Sequence, residues 1–384
     1  MKKVLTATLT LLTASLAWTQ MATEAQKQFI KGNLSEKTAA IREAAGEDAP
    51  LLSQAGLDFA ILNKPLLGND RELSALAAAS VFALPITALS QKQADSLSEK
   101  LAHIFTLYDD ETVRIAVLEK LAPVSAQYQS PKAVALVNDY LQTAKESETT
   151  KAAVRTAGTV GDSKTFKIIY GAWKNERWPS LKAETEGALI DLSERSIADA
   201  VRAISAADIA ETYRFFSLLT NSEKKSQNFK AEIAENALSK AIYTTEDLSG
   251  SMGDTINLQM DAVKVISDSH WVRASKLVIR YFSLAREEYE ANVLKEDKFT
   301  DVISCMSQLA SSDTAQTLSS YLADLNRNVE KKDMPAKPVV LAVISALGAL
   351  GDKSAFDNLL YVTYLSYPQD VIAAARSSLA KLKW

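Results

Sequence analysis

Gly-Thr-Val-Gly-Asp-Ser-Lys-Thr-Phe at residues 158–166 and Gly-Ala-Leu-Gly-Asp-Lys-Ser-Ala-Phe at residues 348–356 share the pattern G-x-x-G-D-x-x-x-F. The first copy also lies one residue short of a phosphate-binding loop, G-x-x-x-x-G-K-[ST]. Gly158, Lys164 and Thr165 stand where that loop needs its first glycine, its lysine and its hydroxyl, but Ser163 replaces the second glycine. The second copy separates the two readings. Ser354 and Ala355 replace Lys164 and Thr165, which removes the groups that would meet phosphate and magnesium, while Gly351 and Asp352 repeat Gly161 and Asp162. What recurs is a turn. A glycine after a helix takes the left-handed conformation that other side chains resist, and an aspartate after it caps the next helix by accepting a backbone N–H. A phosphate loop also needs a strand before its glycine, whereas Lys151-Ala152-Ala153-Val154-Arg155 and Leu341-Ala342-Val343-Ile344-Ser345 carry helical spacing.

Weaker copies of the unit occupy the gaps. Ala183 to Leu192, followed by Ser193-Glu194-Arg195, aligns with the first copy with Leu192 in place of Gly161, and Val371 to Arg376 opens the last helix. Val113-Arg114 and Val272-Arg273 open further helices, the first after Asp109 and Asp110, the second after Asp268. The period of about 30 to 40 residues is that of helical-pair repeats. Pro131, Pro179, Pro335 and Pro368 stand where first helical turns are expected, the position proline tolerates.

Aspartate, then Val-Arg, then an alanine-rich helix ending in Leu-Gly-x-x-Gly-Asp resembles the HEAT repeat, and the shorter units resemble the HEAT-like repeats named after phycobilisome lyases. The resemblance is clearest at 109–205 and 335–384; at 24–105 helical periodicity alone carries it. It implies an all-α fold: a right-handed α-solenoid of antiparallel helix pairs, one domain over residues 18–384. It also implies that Arg114, Arg155 and Arg273 are structural rungs, each bonded to an aspartate of an adjoining repeat. Helices that begin with the Val-Arg element line the concave face in the family, which makes Lys151, Lys182, Lys276 and Arg280 candidate protein-binding residues.

Composition agrees with helix. Of 384 residues, 47% are hydrophobic and 23% charged, which suffices for a sizeable core, and only 12 glycines and 9 prolines interrupt the alanine, leucine, lysine and glutamate that favour helix. Lys2 and Lys3 precede the apolar run Val4 to Leu12, and Ser15-Leu16-Ala17 supplies small residues at −3 and −1. Residues 1–17 therefore read as a signal peptide cleaved after Ala17, and the mature chain as periplasmic or extracellular. No other stretch reaches membrane-spanning length. Cys305 is the only cysteine, so no intramolecular disulfide can form, and its apolar helical setting reads as a packed thiol.

Catalytic parts are scarce. Two histidines, His103 and His270, with no H-E-x-x-H, C-x-x-C or G-x-G-x-x-G, leave triad, zinc and dinucleotide chemistries without their groups, and no cofactor or metal is implied. A net charge of −4 with lysines scattered among acids argues against nucleic acid, which needs a concentrated positive field. The expectation is a non-enzymatic scaffold that binds protein partners of the cell envelope, with an enzyme or lyase-like enzyme subunit as the alternative. Trp271 joins the candidate contacts because tryptophan is enriched at binding hot spots, as do Trp173 and Trp178 unless they are core. The two glycines and two serines of Leu248 to Asp254 mark the loop expected to be most flexible.

Overall fold

A computed structural model describes residues 23–87, 89–246 and 252–383. The expected leader at 1–17, with its cleavage after Ala17, lies outside the described residues, as does most of the loop from Leu248; Met252, Gly253 and Asp254 instead begin a helix. The described residues are all-helical, with 20 α-helices, three short 3-10 turns and no strand. None of these helices is long and apolar enough to cross a membrane. The chain divides into two compact units, one ending at Ser196 and the other beginning at Ile197.

The first unit contains α1 (Glu24–Lys31), α2 (Leu34–Glu43), α3 (Asp48–Leu67), α4 (Arg71–Ala83), α5 (Gln91–Leu107), α6 (Glu111–Tyr128), α7 (Pro131–Thr143), α8 (Glu148–Val160), α9 (Ser163–Lys174) and α10 (Lys182–Ser193). Short polar side chains start most of them. Asn33, Asp70, Ser90, Asp110, Ser130, Ser147 and Asp162 each accept the N–H of the third helical residue, satisfying a donor the helix cannot. Pro131 opens α7, whereas Pro179 opens a 3-10 turn and Pro65 and Pro123 lie inside α3 and α6.

Helices two apart in sequence lie side by side. In one row α2 packs on α4, α4 on α6, α6 on α8 and α8 on α10; α5, α7 and α9 form a second row, and the pairs α3–α4, α5–α6, α7–α8 and α9–α10 pack across the two. Alanine-rich sequence follows from this. A helix flanked on both sides and backed by the other row buries most of its circumference, and only small residues let axes approach closely. In α8, Ala152, Ala153, Val154, Thr156, Ala157 and Gly158 are all buried. A Cβ on Gly158 would meet the Cα of Ala188 on α10 at 3.1 Å, so this glycine is the contact point between row neighbours.

The second unit contains α11 (Ile197–Ala206), α12 (Ile209–Thr220), α13 (Gln227–Glu246), α14 (Met252–Asp268), α15 (Ser275–Glu290), α16 (Glu296–Ser307), α17 (Ser312–Glu330), α18 (Lys337–Leu350), α19 (Phe356–Val362) and α20 (Gln369–Leu379). The same alternation recurs: α12, α14, α16, α18 and α20 make one row, and α11, α13, α15, α17 and α19 the other. Gly348 of α18 lies against Ser378 of α20 as Gly158 lies against Ala188, with a Cβ there 2.5 Å from the serine hydroxyl oxygen. That hydroxyl in turn donates to the Ile344 carbonyl at 2.9 Å. Pro335 stands ahead of α18 in the connecting segment, and Pro368 is the N-cap of α20.

Candidate functional site

The stretch that imitates a phosphate loop is a closed helix junction. Thr165 is fully buried; its hydroxyl donates to Asn138 Oδ1 at 2.7 Å and accepts the Asp162 N–H at 3.0 Å, while the Asp162 carboxylate accepts the Thr165 N–H at 2.9 Å. Burial pushes the Asp162 carboxyl up, but hydrogen bonds from Thr165, Asn138 and the Lys164 N–H outweigh it and hold the group below the usual carboxylate range. Lys164 reaches Asp139 at 3.5 Å. The equivalent Asp352 accepts the Ser354 N–H at 2.9 Å and is lowered chiefly by that bond.

The two glycines of the motif differ from the expectation that both are left-handed. Gly351 is, with φ +66. Gly161 is extended, with φ −65 and ψ 158, and is required for space: a Cβ there would lie 2.5 Å from the Ala157 carbonyl, 2.6 Å from Thr165 Cγ2 and 2.7 Å from Leu192 Cδ2.

The expected arginine rungs pair with carboxylates, though not as the resemblance implies. Arg114 bonds Asp109 of its own turn at 2.7 Å, with its Nε donating to the Tyr108 carbonyl at 2.8 Å. Arg155 reaches Glu184 of α10 at 3.0 Å, a glutamate of the adjoining pair instead of an aspartate. Arg273 reaches Glu235 of α13 at 2.8 Å. Val272 and Arg273 belong to a 3-10 turn before α15 and not to a helix of the α18 row, so they are not counterparts of Val113-Arg114.

A second device went unseen in the sequence. Basic side chains cap the C-terminal carbonyls of a helix that stands two places earlier in the chain. Lys120 donates to the Phe82 and Leu84 carbonyls, Arg177 to those of Leu141, Gln142 and Ala144, Arg195 to those of Gly158 and Thr159, and Lys240 to that of Ser205, always 33 to 38 residues back. Each satisfies carbonyls the helix leaves open and places positive charge at the negative end of the dipole. The signal available was a recurrent Lys or Arg one period after a helix end, readable only once helix ends are known.

The candidate contacts fall into two groups, one in each unit. In the first, Lys151 on α8 lies 3.7 Å from Glu184 and 3.7 Å from Glu148, so its charge is shared with Arg155 around one carboxylate, and Lys182 reaches Glu186 at 4.0 Å. In the second, α13 and α15 present one surface. The half-buried Trp271 donates its indole N–H to Glu235 at 2.7 Å, the Arg273 guanidinium lies 4.7 Å over the same indole, and Arg280 lies 4.8 Å over the exposed Tyr243 ring and donates to its hydroxyl at 3.2 Å. Lys276, between the two arginines in sequence, is exposed and without a partner among the described residues. Trp173 and Trp178 are buried, and the Trp178 indole N–H donates to the Ala144 carbonyl at 3.2 Å, so both are core. Because α15 lies in the row opposite α18, Lys276 and Arg280 are not on the helices that carry the Gly-Asp motif.

Open clefts lie on the alanine-rich rows. One of about 610 Å³ crosses α2, α4 and α6; another of about 400 Å³ lies between α14 and α16, lined by Asp261, Lys264, Asp268, Lys298, Asp301 and Cys305. Burial pushes the Cys305 thiol up to about 11, which keeps it protonated at neutral pH and poorly nucleophilic. His270 adopts φ +48 as a turn residue, and its Nδ1–H donates to the Gln308 carbonyl at 3.3 Å. Among the described residues no group of three His, Cys, Asp or Glu side chains is placed to hold a metal.

No family model matches the chain, and no curated protein matches it. Among solved structures it is similar to a chain from a study titled "Computational Design of Self-Assembling Cyclic Protein Homooligomers", at 15% identity, covering 80% of this chain and 93% of that chain, with a TM-score of 0.13. A likeness at that TM-score carries no argument about fold or function.

Proposed function

We propose that the protein is an exported, non-enzymatic scaffold, a right-handed solenoid of HEAT-like helix pairs that holds a protein partner of the cell envelope by contacts spread along its helices. The alternation of rows within each unit supports the solenoid, because stacked pairs give each helix its neighbours two places away in sequence. Inter-repeat bonds at nearly constant separation support it too: Thr156 to Leu118, Arg273 to Glu235 and Arg286 to Asp324 each span 38 residues. The leader-like residues 1–17 support export.

The observation that carries the binding reading is the α13–α15 surface. Two guanidinium groups stacked on aromatic rings are fixed before any partner arrives, so little side-chain entropy remains to be lost on binding, and Lys276, between them in sequence, is exposed. Aromatic and arginine anchors of this kind dominate interface energies. The test is capture of a partner from native envelope extract by the purified mature chain, compared with Lys276→Glu and Arg280→Glu variants. A partner lost or weakened about tenfold by the reversals supports the reading; retention unchanged by both removes this surface.

A further inference from the structure

We propose that the cleft across α2, α4 and α6 docks an amphipathic α-helix of a partner protein, one whose apolar stripe is flanked by acidic side chains on one side and basic side chains on the other. This rests on the scaffold reading but uses the first unit and none of the residues of the α13–α15 surface.

The cleft is built from the helix row. Its floor is Ala78, Ala79 and Ala83 of α4, with Ile41 and Ala44 on the α2 side and Ile115 and Ala116 on the α6 side. Behind it, Gly56 of α3 lies against Ile41 and Ser80 with no room for a Cβ, so α3 seats tightly under both α2 and α4 and the floor is supported. The lip is Phe82, whose ring is 72% exposed. An exposed phenyl forfeits the gain of burial; Lys120 bonds the Phe82 carbonyl at 2.7 Å, which ties down the backbone there, and its ammonium lies 5.8 Å from the ring. An exposed aromatic at the edge of an apolar, alanine-floored trough of about 610 Å³ suits a few branched side chains projecting from one helix face.

The rims choose the occupant. Arg42 on the α2 side and Glu119 on the α6 side are both exposed, line the cleft and have no partner among the described residues. A helix with like charges on both flanks meets one rim favourably and the other unfavourably. A helix with opposite charges satisfies both rims in one direction, so the rims also fix its polarity. A second copy of this chain is a poorer fit. Its exposed apolar helix positions at Leu62 and Leu66 of α3 are accompanied by Asp58, which is tied to Lys100, and by Lys64, which is buried 4.3 Å from the Tyr108 ring. No free pair of opposite flanking charges is left on α3.

The probe is a synthetic helical peptide of roughly 18 residues, five turns, with leucines on one stripe, glutamates on one flank and lysines on the other. It is compared with all-glutamate-flank and all-lysine-flank versions by fluorescence anisotropy against the mature chain. The mixed peptide should bind about three- to fivefold more tightly than either like-charged version. Glu119→Lys, which makes both rims basic, should shift the preference to the all-glutamate peptide. Phe82→Ala should weaken the mixed peptide about thirtyfold, with helical content and melting unchanged because the ring is exposed. No binding, or equal binding of all three peptides, overturns the proposal. Concentration-dependent self-association abolished by Phe82→Ala also overturns it, by naming a second copy as the occupant. If the peptides fail while capture through Lys276 and Arg280 persists, only the cleft is lost; if both fail, so does the scaffold.

Discussion

Gly161 and Gly351 occupy the same place in two copies of one motif and answer different physical demands. The first needs space and the second needs a positive φ. Gly161→Ala should cost about 1–3 kcal/mol through overpacking, and Gly351→Ala about 1–2 kcal/mol through left-handed strain. Gly171 and Gly187 lie inside α9 and α10 with nothing within 4 Å of an added Cβ, so alanine at either should stabilise by about 0.5–1 kcal/mol. Urea unfolding of the four variants checks the signs; a uniform cost at all four would contradict this account. Glu288 supplies a pH-dependent case. Its side chain is 7% exposed on the buried face of α15, both carboxylate oxygens lack a hydrogen-bond partner, and burial, with Glu287 adding, pushes its pKa up. As pH rises above the unfolded value, the unfolded chain ionises while the folded one resists, so stability declines through the window up to the folded pKa and stays lower beyond it. Glu288→Gln should therefore raise the melting temperature at pH 7 and show a shrinking advantage toward pH 4. A pH-independent difference would sink the explanation.

Helix ends show what could be read from the sequence and what could not. Asp110 and Asp162 were legible as caps, because an N-cap acts on residues two or three positions away and leaves a local pattern. The C-terminal ends were read through glycine, yet Glu176, His270, Asn292 and Lys332 all take positive φ after helices without being glycine. Each closes its helix with the same local pair of backbone bonds, as Glu176 N–H to the Trp173 carbonyl and Arg177 N–H to the Ala172 carbonyl, but a residue other than glycine holds the left-handed position, so no glycine marks the end in the sequence. The basic caps were hidden for another reason: Arg177 acts on carbonyls 33 to 36 residues back, a relation that depends on repeat register. Three carbonyls converge on this one guanidinium, so Arg177→Met should cost about 1–3 kcal/mol. Lys182→Met removes only an exposed contact to Glu186 at 4.0 Å and should change stability by less than about 0.5 kcal/mol. Equilibrium denaturation compares the two, and similar costs would mean that the caps contribute little.

At the scale of the whole molecule, the Gly-Asp motif indicated paired helices at 109–205 and 335–384, and the same row alternation is found where that motif is absent, in α2 to α6 and in α11 to α16. Apolar period alone could place those helices but not say which row each joins. Hence Val272-Arg273 was equated with Val113-Arg114, and the cleft across α2, α4 and α6 went unnoticed. Lys276 and Arg280 were singled out through the Val-Arg resemblance and Trp271 through the enrichment of tryptophan at hot spots; the bonds from Trp271 to Glu235 and from Arg280 to Tyr243 were not foreseen, since those partners lie 36 and 37 residues earlier. The solenoid reading makes one demand on the intact chain that packing within either unit does not satisfy. Small-angle X-ray scattering of the mature protein in solution tests it. A compact globule of this length has a radius of gyration of about 21 Å. The account predicts a clearly larger value and an elongated pair-distance distribution, and a value near the compact one with a symmetric distribution would contradict it.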